Sequence, residues 1–212
     1  MNYIEILKIL SINSIYVLLA FVLFFLFIKG RIKEKEFVLL FYVLTPIAVV
    51  TQFLMTYIRD VHHSSNLPVM NTYLIIEFIL LVYILLNIKQ KIKGEKINYK
   101  LWGILVLLVT LSHFIYKFKA IHSASFLLMA LIYFQITVNF ADIDNIKKFL
   151  FNHYTFVYIA VFLKAIGYSY FLIYQIDYKF PLSIYSILNI LVQFFFILTL
   201  IYYYNGNKEK II

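Results

Sequence analysis

The sequence contains no cysteine, which excludes disulfides, thiol nucleophiles and cysteine-held metals. Glycine is scarce too: five residues in 212 are too few for a phosphate-cradling loop, and no Walker-type run occurs. There are three prolines and one tryptophan, Trp102, so most apolar runs are uninterrupted and interfacial anchoring falls to the 19 tyrosines. No GxSxG, no HExxH and no pair of carboxylates inside one apolar run is present, so the chain is not expected to be an enzyme.

Charged residues are also few, at 14%, and they fall almost entirely between apolar runs. With 64% hydrophobic residues and a mean hydropathy of +0.89, this is the distribution of a polytopic membrane protein. The net charge of +9 is therefore read as loop charge facing a lipid bilayer, with no nucleic-acid partner. Heavy use of Ile, Lys, Asn, Tyr and Phe fits an AT-rich bacterial genome, and hence the cytoplasmic membrane. The opening MNYIEILKILSINSIY lacks a basic leader and a cleavage pattern, and is read as the start of the first span.

Segments of roughly 20 apolar residues can cross a bilayer. Seven qualify: Ile4 to Ile28, Phe37 to Ile58, Val69 to Ile88, Leu101 to Phe118, Ser123 to Phe140, Phe149 to Ile173 and Leu182 to Tyr204. The expected fold is all-α, a single seven-helix transmembrane domain over residues 1–212. A six-helix alternative makes the short fourth segment re-entrant, because Lys117 and Lys119 close it. Connections of about a dozen residues or fewer make sequential helices antiparallel neighbours. The connections Lys29 to Glu36, Lys89 to Lys100 and Ala141 to Lys148, with the residues after Tyr204, hold 13 of the 19 basic residues, against five on the other side. This places the N-terminus outside and the C-terminus in the cytoplasm. An offset of 112 residues superposes helices one to three on five to seven, mapping Gln52 onto Lys164, Tyr73 onto Tyr185 and Glu77 onto Asn189. It points to a three-one-three repeat. Pro46 interrupts the second span and is expected to kink it, with Thr45 and Thr51 re-satisfying the backbone.

The informative residues are those that do not belong in hydrocarbon. Glu77 lies about 12 Å inward from the outer end of the third helix, and Lys164 about 13 Å inward in the sixth. Two ionisable side chains at one depth imply an ion pair or a polar cavity, and such residues are functional candidates by default. Asn13, Asn189, Gln52 and, nearer the outside, His113 extend a polar layer in the outer half. Tyr185, Asn189 and Gln193 form an i, i+4, i+8 stripe, Thr45, Gln52 and Thr56 another, and His153, Lys164, Tyr168 and Gln175 fall close to one face. The competing reading is that these groups fasten the bundle, and for Asn13, Gln135 and Asn139 that is the preferred one. Lys164 has a second alternative, snorkelling outward, though about 13 Å is long for a side chain. His62, His63, His113 and His122 lie toward the outer side, but their spacing forms no ligand motif, so no metal or other cofactor is expected. His153 is read as interfacial.

The piece SNLPVMNTYLIIEF, residues 65–78, resembles a motif in small, uncharacterised multi-spanning bacterial membrane proteins. The resemblance implies that Asn71, Tyr73 and Glu77 form a family feature, and carries no activity with it. The seven-helix outline also resembles the microbial rhodopsins, with two departures: Lys164 is on the sixth helix, not the last, and one tryptophan is too few for a retinal cage. It is similar as well to the three-one-three SWEET transporters, which use several prolines within their spans where this chain has one. Two functions stay open. One is a transporter or permease-like protein that binds a small polar or zwitterionic solute from the outside, at a site comprising Glu77, Lys164, Asn189, Gln193, Gln52, Tyr73 and Asn71. The other is a non-enzymatic sensor or accessory subunit, of a signalling or bacterial defence system, that acts through a membrane or cytoplasmic protein partner.

Overall fold

The computed structural model describes residues 3–63, 65–94, 96–115, 123–140, 153–176 and 182–206. They form seven helices: α1 Tyr3–Lys29, α2 Lys35–Asp60, α3 Leu67–Lys93, α4 Tyr99–Ile115, α5 Ser123–Phe140, α6 His153–Ile176 and α7 Leu182–Gly206. Four of them, α1, α2, α3 and α7, contain stretches long and apolar enough to cross a membrane, and α4 and α5 carry shorter apolar stretches. The described part of α4 is 17 residues, about 25 Å at 1.5 Å per residue. The expected ends of the fourth segment at Phe118 and of the sixth at Phe149 lie outside the described residues.

Helix α3 is the hub. Over half of its apolar window, 56%, is buried inside the protein, against 11% for α1, whose Leu10, Val17, Phe24 and Phe27 face outward as lipid-contacting residues do. It packs on α2, α4, α5 and α6, while α1 lies against α2 and α7, and α6 sits between α5 and α7. Pro68 occupies its first turn, where a missing N–H leaves nothing unsatisfied. At the other end Gly94 takes the left-handed conformation, φ +66°, and its N–H donates to the Gln90 carbonyl at 3.0 Å. The helix thus runs five residues past the expected end at Ile88, and Lys89–Lys93, expected as loop, is helical. Of the connection to α4, residue 94 and residues 96–98 are described, and none of them is helical.

Helix α2 departs from expectation in a second way. Val38–Leu44 is wound as a π-helix, and α-winding resumes at Thr45. Pro46 therefore falls in the first turn of the resumed α-winding, at the junction of the two windings in the middle of α2. The extra residue per turn spares its ring the clash with the carbonyl four residues back. Leu40 C=O accepts both the Thr45 N–H and the Thr45 hydroxyl, the latter at 3.1 Å. The Thr45 hydroxyl thus adds a second bond to a carbonyl that already has a backbone donor, and does not reach the one that Pro46 leaves free.

One end of the bundle is tied by groups from four helices and a loop. Tyr204 OH donates to Gly30 C=O at 2.7 Å, and the Lys33 and Ile32 N–H groups donate to the hydroxyls of Tyr203 and Tyr42 at 3.1 and 3.0 Å. Lys91 Nζ pairs with Glu36 Oε2 at 2.5 Å and stands 3.6 Å from Glu34 Oε2, which accepts from Tyr154 OH. These contacts gather the ends of α1, α3 and α7 and the starts of α2 and α6 at the same end, as antiparallel neighbours require. Between this end and the bundle centre the core is solid: Phe37, Leu40, Phe41, Leu81, Ile84, Leu85, Ile88, Val157 and Val161 are all 2% exposed or less.

Candidate functional site

The polar groups of α3 that matter stand one turn apart. Tyr73 and Glu77, at i and i+4, project from the same face, and the Tyr73 hydroxyl donates to Glu77 Oε1 at 2.5 Å. Helix α6 presents a matching pair, Lys164 and Tyr168, also at i and i+4. Lys164 Nζ reaches Glu77 Oε2 at 2.6 Å, and Tyr168 OH donates to the same oxygen at 2.9 Å. The side chains of Lys164 and Glu77 are only 11% and 5% exposed, so the pair sits in the bundle interior and Lys164 does not snorkel. Its ammonium also stands 5.7 Å from the Tyr168 ring centroid, within cation–π range. Tyr133 of α5 packs behind, with ring centroids 6.0 Å from Tyr168 and 5.3 Å from Phe78.

A buried carboxylate left alone would be strongly unfavourable, and this arrangement answers that cost with one cation and two hydroxyl donors. Both carboxylate oxygens are engaged. Chemically the cluster is a fixed, self-neutralised dipole, oriented by two tyrosines.

Beside it lies a cavity of about 250 Å³ lined from α1, α2, α3, α6 and α7. Six of the seven residues singled out by sequence line it: Gln52, Tyr73, Glu77, Lys164, Asn189 and Gln193. Asn71 does not; it is fully buried elsewhere in α3, six residues and therefore about 240° from Glu77 around the helix. The i, i+4, i+8 stripe of α7 faces the cavity along its length, through Tyr185, Asn189 and Gln193. Ser11 and Thr51, which stood out less in the sequence, also line it. Asn189 Nδ2 donates to the Ser11 hydroxyl at 3.0 Å and to its carbonyl at 3.3 Å, joining α7 to α1.

Asn13, expected in the same layer, is exposed, and its Nδ2 donates to Ile9 C=O of its own helix at 2.8 Å. Two residues along a helix turn about 200°, so with Ser11 facing α7, Asn13 must face away. Gln135 is likewise exposed, and it borders an apolar crevice between α4 and α5. His62 and His63 are exposed in the loop after α2. His122 and the side chains of His113, Asn139 and Gln175 lie outside the described residues.

A second charged cluster escaped the sequence reading. Glu36 is 4% exposed, in a stretch counted as a basic connection, and pairs with Lys91 from the unexpected last turn of α3. His153 Nε2 stands 3.8 Å from Glu34 Oε1, so His153 belongs to this tied end. The available signal was Glu34 and Glu36 just ahead of an apolar run, where carboxylates favour a helix N-terminus.

No protein-family model matches the sequence, and neither a curated protein nor a solved structure is significantly similar to it.

Proposed function

We propose that this chain is a transporter or permease-like membrane protein that binds a small polar solute in the cavity beside Glu77 and Lys164. The observation that carries the reading is a cavity of about 250 Å³, lined by both polar and apolar side chains, beside a buried ion pair inside an apolar bundle. At about 30 Å³ per water, it has room for roughly eight waters or one small solute. Intramembrane ionisable groups are costly, and a cavity placed against them is what a solute pathway needs.

The reading includes seven spans in the cytoplasmic membrane, with the N-terminus outside and the tied, lysine-rich end in the cytoplasm. The 13-to-five distribution of basic residues supports the orientation. The three-one-three repeat draws support from the packing: α1 lies on α7 and α5 on α3, the exchange that the 112-residue offset requires. All six residues the offset pairs (Gln52 with Lys164, Tyr73 with Tyr185, Glu77 with Asn189) line the one cavity.

Native mass spectrometry of protein extracted in mild detergent tests the reading. The wild type is expected to retain a small molecule, and Ala48→Phe, which fills the cavity from α2, to lose it. Retention of the same molecule by Ala48→Phe defeats the cavity as its site. A stoichiometric protein partner with no small molecule points instead to an accessory subunit.

A further inference from the structure

The groups around the cavity divide into those already satisfied and those left open. Glu77 is satisfied: Oε1 accepts from Tyr73, and Oε2 accepts from Lys164 and Tyr168. Among the described residues of the lining, Glu77 and Lys164 are the only acidic and basic side chains, so those residues together carry no net charge. The open groups are amides. Gln193 is 9% exposed and its side chain makes no hydrogen bond among the described residues; its Oε1 has no surface that a water could touch, which leaves Nε2 as the group open to a solute. Asn189 uses only Nδ2, on Ser11, and Gln52 lines the cavity from α2 with no side-chain hydrogen bond among the described residues.

Resting on the solute-site reading above, we propose that the solute is uncharged and bears hydroxyl or amide groups, which the amides of Gln52, Asn189 and Gln193 recognise while the Glu77–Lys164 pair stays intact. An ion would place an uncompensated charge in a low-dielectric cavity whose described lining carries no net charge. A zwitterion would have to compete for a carboxylate whose two oxygens already hold three donors. An amide, by contrast, offers one acceptor and two donors, and the neutral groups complementary to both are hydroxyls and other amides. A buried amide without partners is unfavourable until something bonds to it, so the open amides set the specificity.

The test is thermal unfolding of the full chain in detergent with glucose, erythritol or propionamide, against alanine or glycine betaine, and against sodium acetate or ammonium chloride, at equal concentrations. Unspecific solvent effects are removed by subtracting the shift seen in Ala48→Phe, whose cavity is filled. At least one uncharged solute is expected to raise the wild-type melting temperature beyond that baseline. Gln193→Met, which keeps volume and removes the amide, is expected to lose at least tenfold in the apparent affinity for it. Should Gln193→Met fail to fold, Gln52→Met is read in its place. A baseline-corrected shift confined to alanine, betaine or the salts overturns the uncharged assignment and leaves the solute site standing. An unchanged affinity in the amide variants also overturns it. No corrected shift with any probe overturns both.

Discussion

Glu77 and Lys164 meet because each sits one turn from a tyrosine on the facing side of its helix, so both i, i+4 pairs converge on a single carboxylate. Such closure makes the two charges interdependent. Removing one leaves the other buried and uncompensated, typically at about 3 to 5 kcal/mol, whereas replacing both by apolar groups of similar volume is often close to neutral. Lys164→Met and Glu77→Leu are each expected to destabilise the solubilised protein more than the double replacement does, as read from thermal or denaturant unfolding. Additive losses would show that the pair is not a coupled unit. Glu77 and Lys164 were legible as partners because ionisable residues stand out against an apolar background. Asn13 shows where that signal stops: its residue type matched the layer, but its angle around α1 was fixed by how α1 docks on α7.

At the scale of elements, α2 and α3 each carry one feature that links the tied end to the cavity. In α2 the π-turn Val38–Leu44 separates Glu36, held by Lys91, from Ala48, Thr51 and Gln52 on the cavity wall. In α3 the extension past Ile88 brings Lys91 to that carboxylate before Gly94 ends the helix. Glu36 is buried while Lys91 is partly exposed, with side chains 6% and 45% exposed, so the two partners differ in what their loss leaves behind. Lys91→Met strands a buried carboxylate and is expected to lower stability, and adding Glu36→Leu is expected to recover most of the loss. The melting temperatures of the two variants check this, and a silent Lys91→Met would mean that the pair does not hold α3 to α2. Lysine-to-glutamine changes at Lys96 and Lys100, which lie in the loop and at the start of α4, should leave stability unchanged. In the sequence all these lysines form one topological signal, since composition does not distinguish a lysine aimed at a carboxylate from one aimed at solvent.

For the molecule as a whole, the expected orientation places the tied end and the C-terminus in the cytoplasm. A C-terminal reporter that works only in the cytoplasm is expected to be active, and one that works only outside to be silent. The reverse result would overturn the side assignment and the odd number of spans together. Hydropathy by itself determined that the chain is a helical membrane bundle, where most of the described helix ends lie to within a few residues, and that Glu77 and Lys164 demand a partner or a cavity. These follow from local quantities: length of apolar run, positions of charge, and the cost of polar groups in hydrocarbon. Only the tertiary structure decided that Asn71 and Asn13 lie off the site, that Ser11 and Thr51 lie on it, and that Glu36 is buried. It also decided which amides are left open. Each of those depends on the rotation of one helix against another, which is set by packing between segments far apart in the chain and leaves no mark in the local pattern of either.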